Sequence, residues 1–346
     1  MIEEEQGKDW RARVGEEPDT SGLSTDHARA HEPGRGRQAD TPKEFSARGW
    51  RDILVRMFWA TSANRVLSTA GSVAFFALLA VFPGIAAIVS LYGLFADAST
   101  ISTHLILLSG ILPAGVLGLV GDQIKLVAHQ GNHTLSGAFA ISLVLALYSA
   151  NSGIVALFDA LNVVYNENES RSPLRLYATT FGFTLAGVVF TVLSLTGVVV
   201  LPILLRFVGL PSVTEQLLEA ARWPILLATI MASLAVIYRY GPSRKEARWR
   251  WVTWGSAIAA LLWIAASMLF SWYVATFDSY NRIYGSLGAG IGFMVWLWIS
   301  AIIVLLGGEL NAEMEHQTAR DTTQGGRKPL GARGAMMADH VGKAQS

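Results

Sequence analysis

Six stretches of nearly uninterrupted apolar residues, divided by short polar segments, run along the chain from about Val66 to Leu310. They cover residues 68–95, 137–161, 177–205, 223–240, 251–277 and 286–310. Each comes close to or exceeds the roughly 20 residues that a helix needs to cross the hydrocarbon core of a bilayer. The pattern predicts an all-α fold, a polytopic membrane helix bundle of six transmembrane helices. A further apolar segment, 104–120, is short and contains Pro113, so it is expected to lie in the outer interface or to re-enter the bundle.

The polar positions set the boundaries and the orientation. Residues 1–44 mix Glu, Asp, Arg, Gly and Pro without a period, and residues 316–346 do the same, so both are expected to be disordered tails. Between them, 45–315 form one membrane domain. Its first residues, with Phe45, Ile53, Leu54, Phe58 and Trp59 among Arg48, Arg51 and Arg56, suggest an amphipathic helix on the membrane surface. Lysine and arginine crowd four segments: 43–65, 171–175, 239–250 and 320–343. The alternate segments carry only Lys125, Arg206, Arg222 and Arg282. That asymmetry places both termini in the cytoplasm and makes the number of spans even.

Composition narrows the function classes. Hydrophobic residues make up 52% of the chain and charged ones 15%, and the charge is concentrated outside the spans. A net charge of +1 offers no strongly basic surface, and no nucleic-acid partner is expected. Without cysteine there is no disulfide, thiolate metal site or cysteine nucleophile. Nucleotide fingerprints are absent as well, so neither a cofactor nor ATP is expected, and the chain is not expected to be an enzyme.

Polar residues inside a span are costly and are candidates for function. The second span carries Tyr148, Asn151, Asp159, Asn162 and Tyr165. At about 100° per residue they fall near 60°, 0°, 80°, 20° and −40° around the helix axis, one stripe that would face the bundle interior. The sequence Phe158-Asp159-x-x-Asn162-x-x-Tyr165 recurs as Phe277-Asp278-x-x-Asn281-x-x-Tyr284 at the end of the fifth span. The charge pattern puts the two copies on opposite sides, as an inverted repeat would. Asn151, Asp159, Asn162, Tyr165, Asp278, Asn281 and Tyr284 are therefore the candidate polar path for a small-molecule or lipid substrate. Interhelical hydrogen bonding is the plainer alternative.

The sixth span begins with small residues at spacing four, and Gly288 and Gly292 are expected to let a neighbouring helix approach closely. A homo-oligomer stays open. At the far end Glu309, Asn311 and Glu313 mark the cytoplasmic exit, where Glu309 can pair with an arginine of the basic 239–250 loop. Pro83 and Pro202 should kink or interrupt the first and third spans.

Four segments resemble the YihY/virulence factor BrkB family of bacterial inner-membrane proteins. They are Ala74-Phe75-Phe76-Ala77-Leu78-Leu79-Ala80-Val81-Phe82-Pro83, then Leu161-Asn162-Val163-Val164-Tyr165 followed by Arg171. The third is Tyr280-Asn281-Arg282-Ile283-Tyr284-Gly285-Ser286, and the fourth is Leu306-Gly307-Gly308-Glu309-Leu310-Asn311-Ala312-Glu313. The resemblance covers roughly residues 50–315 and implies six spans in the bacterial inner membrane, without a mechanism. Most plausible is ATP-independent transport of a solute, lipid or envelope molecule; the rival is a non-transporting protein for envelope integrity or scaffolding. The family's old label, ribonuclease BN, implies a tRNA-processing enzyme. A metal-dependent nuclease would need clustered His and Asp ligands. His27, His31, His104, His129, His133, His316 and His340 form no such cluster with a carboxylate in the sequence. No metal is expected.

Overall fold

The computed structural model describes residues 20–95, 132–195, 212–276 and 287–345. Among these residues the chain is helical, with one isolated bridge between Ala247 and Thr323 as its only β pairing. The helices are α1 (Thr20–Ala30), α2 (Ala47–Ala63), α3 (Val66–Phe95), α4 (Asn132–Val164), α5 (Pro173–Leu195), α6 (Ser212–Tyr240), α7 (Trp249–Thr276), α8 (Leu287–Gln317) and the short α9 (Met336–Asp339). A 3₁₀ turn, Pro42–Glu44, precedes α2.

Three helices are long and apolar enough to cross a membrane, through Ala140–Val164, Trp249–Tyr273 and Gly290–Gln317. A fourth crossing results if the bent pair α2–α3 counts as one span. These match the expected second, fifth, sixth and first spans. The apolar part of α6, Pro224–Tyr240, falls short of that length. The expected third span, 177–205, runs beyond the described residues, and segment 104–120 lies outside them. Only 22–28% of the three apolar windows is buried against the rest of the chain. Ile141, Val144 and Leu145 of α4, Val188 and Val189 of α5, and Met268 and Leu269 of α7 face outward. Such a continuous apolar exterior is stable only where lipid covers it.

The bundle core gathers side chains from five helices. Val66 and Ala70 of α3, Leu157, Ala160 and Leu161 of α4, Leu234 and Tyr238 of α6, Ala259 and Ala260 of α7, and Ala301 and Leu305 of α8 form one cluster. Small residues set the closest approach. A Cβ on Gly255 of α7 would collide with the carbonyl oxygen of Gly307 on α8, and Asn311 accepts a hydrogen bond from Gly255 N at 2.9 Å beside it. The expected packing glycine Gly292 is different, since a Cβ there would meet nothing within 4 Å. The tight crossing sits at the other end of α8, where Gly307 rather than Gly292 faces α7. The environment of Gly288 lies outside the described side chains.

The break at the start of the first span is not at a proline. Helix α3 continues through Pro83, and Pro202 is outside the described residues. Between α2 and α3 the axis turns by 62°. Asn64 ends α2 as its C-cap, and Arg65 takes a left-handed φ of 49°. That conformation is unfavourable for an L residue with a Cβ and interrupts the helix.

Residues 20–44 and 318–345, expected from composition to be disordered, are ordered in the structure. They wrap the last two turns of α8. Arg37 Nη1 and Nη2 donate to the carbonyls of Gln317 and Gly342 at 3.2 and 2.7 Å, and Ala319 N donates to Arg37 O at 2.7 Å. Local composition carried no sign of this order because it arises from pairing across nearly the whole length of the chain. Helix α8 accordingly runs on past Leu310 to Gln317, with every residue of this extension buried except the half-buried His316.

Candidate functional site

The polar residues of α4 divide sharply. Asn151, Asn162 and Tyr165 are buried, whereas Tyr148 and Asp159 are exposed. The division follows the helical wheel: positions from about −40° to 20° face the bundle, and those at about 60° to 80° face out. The single inward stripe predicted from the sequence is thus two, because the buried sector is narrower than the polar one. Asp278, Asn281 and Tyr284, and with them the second copy of the repeat, lie outside the described residues.

The buried members do different work. Asn151 stands in the apolar part of the bundle, 3.5 Å from the hydroxyl of Thr184 on α5. Asn162 is fully engaged near the end of α4. Its Oδ1 accepts from Ser243 N at 2.7 Å and its Nδ2 donates to Glu169 Oε2 at 3.0 Å. Those two bonds tie α4 to the loop after α6 and to its own following turn. Glu169 in turn grips Arg171 through both oxygens, at 2.7 and 2.6 Å. Hydrogen bonding from Arg171 pulls the Glu169 carboxyl down to about 2.

The end of α8 carries buried polar side chains on more than one face. Glu309, Asn311, Glu313, Glu315 and Gln317 are all buried. Glu315 receives both Arg244 amino groups, at 2.9 and 2.8 Å, and also the Thr322 hydroxyl at 2.8 Å. Burial works against the Arg244 charge, but the Glu315 carboxylate more than restores it, so the guanidinium stays protonated above its ordinary range. The same guanidinium lies over the Tyr165 ring, 4.2 Å from its centroid. Glu313 is paired with Arg56 of α2 at 2.6 Å.

Glu309 has a different partner from the one expected. No basic-loop arginine reaches it. Its Oε1 accepts from Asn64 Nδ2 at 2.6 Å, and its Oε2 is buried without a partner. Arg244 of the basic loop went instead to Glu315, six residues further along α8 and past the expected end of the sixth span at residue 310. Sequence reasoning therefore missed Arg244–Glu315, Arg56–Glu313 and the Asn64–Glu309 contact. The one available signal was the run of Glu309, Glu313 and Glu315 immediately after an apolar span. Among the described residues no group of three His, Asp or Glu side chains could hold a metal ion.

The model of the virulence factor BrkB family matches residues 57–330. This chain belongs to that family. Similar proteins include the ribonuclease-like protein YfkH of Bacillus subtilis, 31% identical over 75% of this chain and 94% of its own length. UPF0761 membrane proteins are similar as well. That of Aromatoleum aromaticum is 27% identical over 78% of this chain and 64% of its own. That of Haemophilus influenzae is 25% identical over 75% and 94%. No solved structure matches the chain. With its apolar helices, the BrkB-family chain is a multi-pass bacterial membrane protein. The matched span contains every buried polar residue of the α4, α6–α7 and α8 layer, and stops within the C-terminal segment that wraps α8.

Proposed function

We propose that the chain is a six-span protein of the bacterial inner membrane, with both ends cytoplasmic, that moves a solute, lipid or other envelope molecule without ATP. The observation that carries this reading is the broken helix pair α2–α3. The break is held to α8 by polar contacts. Here Trp298 of α8 donates to the Leu67 carbonyl at 2.8 Å, and Asn64 reaches the buried Glu309. Discontinuous helices that meet buried polar groups are a recurrent element of transporters. Asn151 and the exposed Asp159 are the described positions best placed to line a path. Polar side chains inside a membrane, such as the buried Asn151, mark ion or solute pathways in other membrane proteins.

Topology is tested first, with single cysteines at the exposed Ser172 and at Asn281 in the cysteine-free parent. A membrane-impermeant maleimide should label them from opposite sides; labelling from one side removes the six-span arrangement. Purified protein in proteoliposomes is then assayed for flux of a solute panel and of fluorescent phospholipids without ATP. Flux above protein-free vesicles, reduced by Asp159→Asn, supports transport.

A second reading, a non-transporting protein that supports envelope integrity or scaffolds partners, is favoured by Asn162. Both ends of its amide are spent on holding the fold. Under that reading no member of the panel crosses, and polar replacements in α4 change stability alone.

A further inference from the structure

We propose that Glu309 is a proton-binding residue whose charge state sets how firmly the α2–α3 break is tied to α8. Its side chain is fully enclosed. One carboxyl oxygen holds the Asn64 amide, and the other has no hydrogen-bond partner although it is buried. An ionised carboxylate enclosed in this way has one protein donor for two oxygens, which is the setting in which a carboxyl group takes up a proton.

The neighbours add no compensating charge. Arg56 is spent on Glu313 and Arg244 on Glu315. Arg65, at the break itself, is exposed. On its own helix Glu313 lies one turn on, paired with Arg56 and with His316 Nδ1 3.6 Å from it. Helix α4 brings Tyr165. Helix α6 brings Tyr238, whose hydroxyl is committed to the Val304 carbonyl at 2.7 Å. Helices α3 and α7 contribute apolar groups to the same core, among them Val66, Ala70 and Ala259.

The position gives the proton a structural consequence. Asn64 is the last residue before the left-handed Arg65, so its side chain anchors the turn. An ionised Glu309 accepts the Asn64 amide as a charge-assisted bond, and a protonated one accepts it more weakly. Protonation therefore loosens the break and frees α2 to change its angle to α3. Helix α2 carries Leu54, Phe58 and Trp59 on its exposed face, so such a change moves an apolar edge across the membrane surface. Assigning the proton as the coupling ion rests on the transport reading; the proton site itself does not.

The test uses the full chain in lipid nanodiscs. Cysteines at the exposed Leu54 and Phe75 are spin-labelled, and the distance between labels is followed by electron double resonance from alkaline to acid pH. Infrared difference spectra of the same samples record protonated carboxyl groups. The expected result is a pH-dependent distance in the parent and loss of that dependence in Glu309→Gln, fixed at the acid-side distance. The infrared band that grows with acid should be missing from Glu309→Gln. In Asn64→Ala, which keeps the carboxyl group, its midpoint should move to higher pH, because a donor to the ionised form is gone. An unchanged pH response in Glu309→Gln overturns the proposal, as does an unmoved midpoint in Asn64→Ala. The second variant decides the matter if Glu309→Gln does not fold. A normal Glu309 titration in protein that moves nothing in proteoliposomes upholds the proton site and counts against transport.

Discussion

Arg244 and Glu315 meet through two parallel hydrogen bonds of 2.9 and 2.8 Å, with both side chains wholly shielded from solvent. The pair joins the loop after α6 to the last turn of α8. Its cost of desolvation is offset only while both partners are present, so removal of one leaves a lone buried charge, at a cost of about 3–5 kcal/mol. Arg244→Ala should lower the thermal midpoint of the purified protein steeply. The double variant Arg244→Met with Glu315→Leu should recover most of that loss. Equal midpoints for the single and double variants would show that the pair is not coupled.

The α7–α8 crossing depends on Gly255 and Gly307. Gly255→Ala sets a methyl group against the Gly307 carbonyl and the Asn311 amide. Overpacking of this kind costs about 1–3 kcal/mol. Gly292→Ala, with open space around it, should be neutral or gain up to about 1 kcal/mol from helix propensity. Thermal unfolding of the two variants side by side checks the contrast.

Two polar residues only three positions apart on α4 should behave in opposite ways. Asn162→Ala strands the Ser243 amide and leaves Glu169 Oε2 with Arg171 as its donor, and is expected to destabilise by about 1–3 kcal/mol. Asp159→Asn, on the exposed side, should leave stability within about 0.5 kcal/mol. A change in flux confined to Asp159→Asn would support transport.

Acid should loosen the polar end of the bundle. Glu169 has a folded pKa of about 2 against an ordinary 4.5. A depressed carboxylate stabilises the fold fully above its unfolded pKa, and the contribution disappears as pH falls from 4.5 toward 2. Asp321, held below its ordinary value by amide donors from Lys328 and Thr323 against the effect of burial, adds to the same trend. Limited proteolysis across that window should show increasing cleavage in the 240–250 and 318–345 segments. Glu169→Gln should flatten the response in 240–250, whose start is held by Arg171, and leave that near 321.

The helical, membrane-bound character of the chain was plain in its sequence because it depends on local averages. A run of apolar residues about as long as the bilayer is thick cannot be satisfied in other ways, and the runs at 137–161, 251–277 and 286–310 became α4, α7 and α8. Which residues touch was a matter for tertiary structure. Tyr148, Asn151, Asp159, Asn162 and Tyr165 read as one stripe, yet only the packing of α4 against its neighbours decided that two of them face out. Glycines at 288 and 292 had the spacing of a close contact, but Gly307 met Gly255 because α8 crosses α7 at its other end. Residues 20–44 and 318–345 have no periodicity, and their order comes from partners hundreds of positions away, such as Arg37 with Gln317 and Gly342. Glu309 could be seen in the sequence as a polar residue at a span's edge. That it would be enclosed, with a single amide from the α2–α3 break for company, depends on contacts across 245 residues, which no local pattern records.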